Sequence, residues 1–182
     1  MKTISDHILD ILQNSVTAGA TLIEIIVDEN KKNDFYTIKL TDNGCGMSEE
    51  ILKKATDPFF TSRNTRKVGL GLSLLKQNAE KAGGFLSIES KPGAGTRVKA
   101  TFQLTNIDRP PMGNIWEVLY ITWVSYSSIE LKYVHKTEKG RFEINSNEIV
   151  EILGDVPLTN KEIKEAIYEL IKNNLKSIQA TI

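Results

Sequence analysis

The sequence predicts an α/β protein: a mixed β-sheet with helices on one face, followed by a smaller α+β region. Segments with apolar residues at helical spacing alternate with short segments rich in β-branched and aromatic residues. A stretch that contains two prolines and a glycine, residues 106–114, then interrupts both patterns. We therefore predict a first domain over residues 1–107, a linker over residues 108–114 and a second domain over residues 115–182.

Composition narrows the class of protein. The 182 residues include 23 basic and 23 acidic side chains, and this balance disfavours nucleic acid as the main partner. The single cysteine excludes an intrachain disulfide and fits a reducing cytoplasm. No apolar run approaches the roughly 18 residues that cross a bilayer, and the start of the sequence lacks the apolar run of a secretory signal. We therefore expect a cytoplasmic protein without a membrane segment.

The first domain begins with a predicted amphipathic helix over residues 5–17, with Ser5 or Asp6 as its cap. Residues 57–68 lack periodicity and form a predicted loop of ~12 residues, a length that is often functional. The other predicted elements of this domain are a short helix capped by Ser48, a helix over residues 69–82, and strands over residues 21–28, 35–42, 85–90 and 96–104.

Beyond the linker the sequence predicts a small antiparallel sheet and a long C-terminal helix. Residues 115–125 are rich in β-branched and aromatic side chains, which favours a strand. Thr159 is the predicted cap of the long helix. The predicted elements are strands over residues 115–125, 129–136 and 139–145, and helices over residues 146–153 and 159–178.

Asp10 and Asn14 form the first candidate site. They lie four residues apart, so both face the same side of the predicted first helix. Magnesium prefers oxygen ligands and shares them with substrate phosphates, and an Asn carbonyl can hold such an ion without adding charge. A carboxylate one turn earlier can orient or deprotonate a water or a hydroxyl. A solvated polar stripe would give the same pattern, so the pair alone does not predict a function.

Asp42 begins the second candidate site, Asp-Asn-Gly-Cys-Gly-Met, at the end of a predicted strand. Gly44 and Gly46 allow the backbone to pack closely against a flat ligand. The carboxylate of Asp42 can accept a hydrogen bond from the exocyclic amine of adenine, whereas guanine presents an oxygen at that place. A strand-ending turn is the alternative interpretation, because Asp-Asn-Gly is common in turns.

Gly69 and Gly71 form the third candidate site, directly before a predicted helix. Main-chain N–H groups at a helix N-terminus bind anions, and glycines let phosphates approach them. The segment does not match the dinucleotide-binding fingerprint, because Leu74 stands where the third glycine is expected. It does not match a phosphate-binding P-loop either, because no Gly-Lys-Ser/Thr follows.

Five segments, in order and spacing, resemble the motifs of the GHKL superfamily, the ATP-binding domains of gyrase, Hsp90, histidine kinases and MutL. The likeness covers roughly residues 3–106 and is closest to the catalytic domains of sensor histidine kinases and to anti-sigma-factor kinases. The first segment is most like the MutL form. The segments are Asp10–Ala20 (N box), Asp42–Met47 (G1 box), Asp57–Arg63 (F box), Gly69–Gly84 (G2 box and its helix) and Pro92–Thr96 (the last glycine-rich motif).

This resemblance implies a Bergerat-type two-layer α/β sandwich that binds ATP and Mg²⁺. It implies that Asn14 ligates Mg²⁺ and that Asp10, the catalytic candidate, orients the attacking water or hydroxyl. Asp42 would recognise the adenine amine, with Thr96 nearby, and residues 57–71 would form the ATP lid. The implied nucleotide-binding residues are Asn14, Asp42, Gly44, Gly46, Met47, Phe59, Thr61, Ser62, Arg63, Val68, Gly69, Leu70, Gly71, Leu72 and Thr96.

Two departures from the family pattern bear on activity. Family members that hydrolyse ATP usually have Glu at the position of Asp10, and the shorter side chain bears on turnover rather than on binding. Histidine kinases also carry a phosphoacceptor His on a dimerisation hairpin before the N box, and only residues 1–9 precede Asp10 here. We therefore expect the chain to lack that hairpin. His7 and His135 are poor phosphoacceptor candidates, since one lies on the N-box helix and the other in a predicted strand.

Three functional hypotheses follow. In the first, a kinase acts in trans on a His, Ser or Thr of a protein partner, as the kinase-like lid and the likeness to anti-sigma-factor kinases favour. In the second, an ATPase clamp forms a homodimer when it binds ATP, as the MutL-like N box favours. In the third, ATP or ADP sets the conformation of residues 115–182 without catalysis, as Asp10 in place of Glu favours. We favour an ATP–Mg²⁺-binding signalling protein with kinase activity.

Overall fold

The computed structural model describes residues 1–57 and 70–182. In this part of the chain the strands are β1 (Leu22–Asn30), β2 (Phe35–Asp42), β3 (Phe85–Ser90), β4 (Thr96–Gln103), β5 (Glu130–Thr137) and β6 (Gly140–Asn145). The helices are α1 (Ile4–Thr17), α2 (Glu49–Lys54), α3 (Gly71–Lys81), α4 (Ile115–Ser125), α5 (Ser146–Leu153) and α6 (Lys161–Ser177). Among these helices, none has the length and apolar character that crossing a membrane requires.

The strands form one mixed sheet in the order β3-β4-β2-β1-β5-β6. Neighbouring strands are antiparallel except β1 and β5, which run parallel with Ile25 opposite Tyr133. The α/β class and the mixed sheet that the sequence predicts are confirmed. The sheet is mixed because of the β1–β5 pair, since the four strands predicted for the first domain are all antiparallel neighbours.

Two helix starts differ from the prediction. Thr3, and not Ser5 or Asp6, caps α1: the Thr3 hydroxyl accepts the N–H of Asp6, and the Asp6 carboxylate accepts the N–H of Thr3. This reciprocal capping box satisfies two N–H groups that the helix leaves unpaired. Asn160, and not Thr159, caps α6. At each helix start, two or more neighbouring residues can serve as caps, so the sequence alone does not identify the one that does.

The predicted strand over residues 115–125 is wrong, because this segment forms α4. Val118, Leu119 and Trp123 are buried, while Ile121 is exposed, so apolar side chains surround the helix. A segment that is apolar on nearly all sides shows neither helical nor strand periodicity, and its β-branched content then favours the wrong element. The helix packs against both α1 and α6, which explains its apolar flanks.

The strands beyond the linker do not form a sheet of their own, so the expected small antiparallel sheet is wrong. β5 extends the sheet beside β1, and β6 pairs with β5. Buried side chains from both regions, such as Ile25 of β1, Leu40 of β2 and Tyr133 of β5, contribute to one hydrophobic core. The division into a first domain over residues 1–107 and a second domain over residues 115–182 stays a prediction.

A closed polar cluster lies in the core where β1 meets β5. The Glu29 carboxylate accepts hydrogen bonds from Nε2 of His135 at 2.8 Å and from the N–H and hydroxyl of Thr181 at 2.7 Å each. The Nδ1 atom of His135 lies 2.7 Å from the hydroxyl of Tyr133. Burial raises the pKa of Glu29, but the hydrogen bonds from His135 and Thr181 outweigh it and hold that pKa below its ordinary value.

Candidate nucleotide-binding site

Asp42 ends β2 and lies at the centre of the candidate site, with 7% of its surface exposed. Its Oδ1 accepts the N–H groups of Gly44 at 2.9 Å and Thr96 at 3.2 Å. Its Oδ2 accepts the hydroxyl proton of Ser15, on α1, at 2.7 Å. A carboxylate has about four lone-pair sites. The three donors therefore fix the group in place and leave capacity for one more hydrogen bond.

Main-chain hydrogen bonds fix the turn after Asp42 against the loops on both sides. The N–H of Cys45 donates to the carbonyl of Ala18, at the end of α1, at 2.9 Å. The carbonyl of Cys45 accepts the N–H of Gly93, in the β3–β4 hairpin, at 2.7 Å. Three segments that are distant in sequence therefore meet at the same edge of the sheet.

The predicted glycines permit close approaches within the protein. A Cβ on Gly46 would lie 2.0 Å from the carbonyl oxygen of Lys91, and Gly46 has a φ of 68°. A Cβ on Gly44 would lie 2.9 Å from the Ala18 side chain. No larger residue fits at Gly46 without moving backbone. The packing of the protein itself therefore requires glycine at both positions, whether or not a ligand is bound. The same contacts hold Asp42 at the surface of the site.

Ser90, the last residue of β3, connects the two sides of the site. Its oxygen accepts the N–H of Met47 at 2.8 Å. The same oxygen lies 2.9 Å from the carbonyl oxygen of Gly95 and 2.9 Å from the hydroxyl oxygen of Thr96. Ser90 could not be identified from the sequence, because a serine at a strand end is common and carries no local signal.

Ser15 was not among the predicted site residues, although the sequence contains a signal for it. Ser15 follows Ile11 by four residues and Leu12 by three, so it continues the apolar face of α1. A hydroxyl on that face is buried and needs a partner. Ser15 is 2% exposed, and its partner is Asp42.

Asp10 and Asn14 lie on one side of α1, where Nδ2 of Asn14 is 3.4 Å from Oδ2 of Asp10. A Cβ on Gly71 would lie 1.7 Å from the same Oδ2, so the carboxylate lies directly against the start of α3. Leu70 caps α3 without a side-chain hydrogen bond, and Leu72 packs against the hydrophobic core. The structure therefore brings the predicted catalytic carboxylate to the predicted phosphate-binding glycine.

The residues around Asn14 fit a magnesium ion that is bound mainly through a nucleotide. Asp10 and Asn14 bring hard oxygen atoms to one side of α1, and Mg²⁺ takes its other ligands from waters and phosphates. Within residues 1–57 and 70–182, no group of three or more His, Cys, Asp or Glu could hold a metal by itself.

Six predicted nucleotide-binding residues lie outside the described residues. All of them belong to the predicted lid, residues 57–71, and their roles stay predictions. They are Phe59, Thr61, Ser62, Arg63, Val68 and Gly69.

His7 is buried between α1 and α3, with 1% of its surface exposed. Its Nε2 lies 2.9 Å from Nδ2 of Asn78, on α3. Burial lowers the pKa of His7 and keeps the ring neutral. His135 is also fully buried, in the Glu29 cluster. Both rings are buried, which agrees with the prediction that they are poor phosphoacceptor candidates.

A family model for histidine kinase-, DNA gyrase B- and HSP90-like ATPases matches residues 3–106. This span contains every segment that builds the site around Asp42. The chain belongs to this family. The GHKL resemblance found in the sequence is thereby confirmed, and membership in the family implies that this histidine-kinase-like ATPase domain binds a nucleotide.

Similar curated proteins act in signalling by name. A Shewanella frigidimarina protein named as a sensor protein is 37% identical over 103 residues, which cover 56% of this chain and 16% of that protein. The sensor histidine kinase YkoH of Bacillus subtilis is 33% identical over 101 residues, covering 53% and 22%. The sensor kinase CckA of Brucella abortus is 36% identical over 67 residues, covering 36% and 7%. The matched segments thus span less than a quarter of each relative.

Proposed function

We propose that this ATPase domain binds ATP with Mg²⁺ and transfers the γ-phosphoryl group to a His, Ser or Thr of a partner protein in the cytoplasm. One observation carries the proposal. The nearly buried Asp42 carboxylate is held by donors from three segments and keeps capacity for one further donor. Such a fixed acceptor suits the amine of a bound adenine, and the sensor kinases among the similar proteins support the transfer step.

The phosphates of the nucleotide fit the start of α3. The first N–H groups of this helix have no side-chain cap, and such groups attract anions. Asn14 and Asp10 face this place from α1. Asn14 would hold Mg²⁺, and the bound ion would neutralise the negative charge on the phosphate oxygens.

Asp10 is the proposed catalytic residue. Its carboxylate lies against Gly71, next to the proposed phosphates. From there it can accept a hydrogen bond from the attacking hydroxyl or imidazole of the partner and orient it toward the γ-phosphorus. The nucleophile bonds to phosphorus while the bond to the leaving ADP breaks, and the Asp10 carboxylate takes the proton of the hydroxyl or imidazole.

A second candidate function is a nucleotide-dependent binding switch without catalysis. The packing of α4 directly against α1 favours it, because α1 also carries Asp10 and Asn14. A shift of α1 on nucleotide binding would reach residues 115–182 through this contact. The shorter carboxylate of Asp10, in place of the family's Glu, also favours slow turnover.

Calorimetry tests the binding step. We expect ATP to bind with an affinity that depends on Mg²⁺, and Asn14→Ala to remove this dependence. Gln13→Ala, on the next residue of α1, is the matched control and should keep the dependence. If Asn14→Ala binds ATP as the wild type does, with and without Mg²⁺, the metal assignment is wrong.

Incubation with γ-labelled ATP and candidate partner proteins separates the hypotheses. Label on the partner, lost in Asp10→Asn, supports the kinase. Free phosphate together with concentration-dependent dimers indicates an ATPase clamp instead. Tight binding of nucleotide with neither product, and a partner retained only in its presence, indicates the switch.

A further inference from the structure

We infer that Ser90 is a specificity-positioning residue, which fixes the Thr96 hydroxyl as a hydrogen-bond acceptor and so selects a 6-amino purine over a 6-keto purine. The inference rests on the proposed binding of a purine nucleotide at Asp42. Ser90 does not have to touch the ligand, since it acts through Thr96.

The hydroxyl of Ser90 has only one proton for its three contacts. A serine hydroxyl has one proton to donate and two lone pairs with which to accept. The N–H of Met47 donates to it, and the carbonyl oxygen of Gly95, at 2.9 Å, can only accept. The single proton of Ser90 is therefore committed to Gly95.

The Thr96 hydroxyl must then be the donor in its contact with Ser90. Its oxygen lies 2.9 Å from the Ser90 oxygen, and one of the two hydroxyls has to supply the proton. Because Ser90 has already given its proton to Gly95, Thr96 supplies it. The proton of Thr96 thus points back into the protein, and Thr96 can only accept hydrogen bonds on its other side.

The second acceptor lies beside the first. Asp42 and Thr96 are directly opposite each other in β2 and β4, so their side chains lie on the same face of the sheet. The main-chain N–H of Thr96 also donates to Oδ1 of Asp42 at 3.2 Å. The only proton of the Ser15 hydroxyl goes to the Asp42 carboxylate, so Ser15 adds no donor to the pocket. The base would therefore meet two acceptors, which suits the amine at purine position 6 and repels a keto oxygen.

The hairpin geometry holds this network in place. Ser90 and Thr96 are opposite each other as the last registered pair of β3 and β4. A Cβ on Gly95 would lie 1.9 Å from the carbonyl oxygen of Asp42, so the hairpin lies directly on the Asp42 turn. Loss of the Ser90 hydroxyl would leave this backbone contact in place but would free the Thr96 proton to rotate toward the ligand.

Titration calorimetry with ATP and ITP tests the inference, since hypoxanthine carries a keto oxygen in place of the amine. We expect the wild type to prefer ATP. In Ser90→Ala the ATP/ITP affinity ratio should fall by about two- to tenfold, the range of one hydrogen bond. Ser90→Thr keeps a hydroxyl and should restore the ratio. Ser87→Ala, on the same strand, is the matched control and should leave it unchanged.

Thr96→Val separates the proposed role from a structural one. Without the Thr96 hydroxyl, adding Ser90→Ala should leave the ATP/ITP ratio as it is in Thr96→Val alone. A Ser90→Ala variant that loses thermal stability but keeps the wild-type ratio would overturn the inference and leave the proposed function intact. If the wild type binds neither nucleotide, both the proposed function and the inference are wrong.

Discussion

Two buried carboxylates on the same face of the sheet, Asp42 and Glu29, have different tasks. Each accepts three hydrogen bonds from the protein. Asp42 ends its strand, and two of its three donors are N–H groups of loop and strand-end backbone. Glu29 lies within β1, and its donors are His135 and Thr181. Asp42 keeps 7% of its surface exposed and Glu29 keeps 1%.

What covers a buried carboxylate decides what it can do. At the end of β2, glycine turns hold Asp42 where a ligand can reach it. Glu29 is the second-last residue of β1, at the other end of the β1–β2 pair, and Thr181 covers it, so that only 1% of its surface is exposed. We therefore expect substitution of Glu29 to affect folding stability and substitution of Asp42 to affect nucleotide choice.

The largest expected effect is the loss of stability in Glu29→Ala. This change removes the partner of a buried imidazole and of two donors on Thr181, and breaking a buried pair typically costs about 3–5 kcal/mol. Urea denaturation followed by circular dichroism measures it. Glu24→Ala, on the opposite face of β1, is the control and should change the free energy of unfolding by less than about 0.5 kcal/mol. Equal losses in both variants would contradict the stabilising role of the Glu29 cluster.

Asp42→Asn should have the next largest effect, and it should appear in binding. The amide replaces one acceptor oxygen with a donor, so the hydrogen bond to the adenine amine is lost. Hydrogen bonds to charged groups contribute about 1.5–3 kcal/mol, so we expect ATP affinity to fall roughly tenfold to a hundredfold. Calorimetry with ATP and GTP measures the change. A wild type that binds GTP as tightly as ATP would refute the role of Asp42.

Gly71→Ala should weaken ATP binding by about tenfold, or about 1.4 kcal/mol. The new Cβ would lie 1.7 Å from the Asp10 carboxylate, which has to rotate away from the start of α3. Since only the end of a side chain moves, we expect little loss of stability. Gln77→Ala, at an exposed position of the same helix, is the control. If ATP affinity and phosphotransfer are unchanged in Gly71→Ala, neither Asp10 nor the start of α3 contacts the nucleotide.

The smallest expected effect is a pH dependence that arises at His7. Because burial lowers its pKa in the folded state, the unfolded chain takes up a proton first as the pH falls below 6.5. The contribution of His7 to the free energy of unfolding is fully present above pH 6.5. It decreases as the pH falls toward the lowered pKa, by at most about 1.4 kcal/mol per pH unit. His7→Gln should flatten this slope in urea titrations. If the slope is unchanged in this variant, other titrating groups cause the pH dependence.

Glu29 also makes the folded protein less stable as the pH falls, but at a lower pH than His7 does. Its pKa is lowered from the ordinary value of 4.5, so its contribution is present above that pH and is lost as the pH falls through the folded-state pKa. Glu29→Gln should therefore remove a decrease in stability that the wild type shows below about pH 4.5. A decrease of the same size in both proteins would exclude Glu29 as its source.

The sequence predicted the parts of the site that are built from local motifs. Local patterns marked Asp10, Asn14, Asp42 and the glycines as candidates, and the resemblance to the GHKL superfamily implied that they meet around one nucleotide. The spacing of Ser15 from Ile11 and Leu12 predicts that its hydroxyl is buried, but it does not identify Asp42, 27 residues away, as the partner. Ser90 contacts the hydroxyl of Thr96, 6 residues away, and no local pattern predicts this contact.

The fold was predicted less well beyond the linker. The α4 segment is apolar on nearly all sides, so its period could not separate helix from strand. β5 pairs in parallel with β1 across about 100 residues of chain, and parallel pairing of buried strands leaves no alternation that would identify the neighbour. The resemblance to a family stopped at residue 106, so it could not supply the missing connection.

A crystal structure with Mg²⁺ and a non-hydrolysable ATP analogue tests the central claim most directly. We expect the adenine amine on the Asp42 carboxylate, the phosphates at the start of α3 and the metal on Asn14. A nucleotide bound elsewhere, or one whose base and phosphates contact neither Asp42 nor Gly71, would show that these residues do not form the nucleotide site.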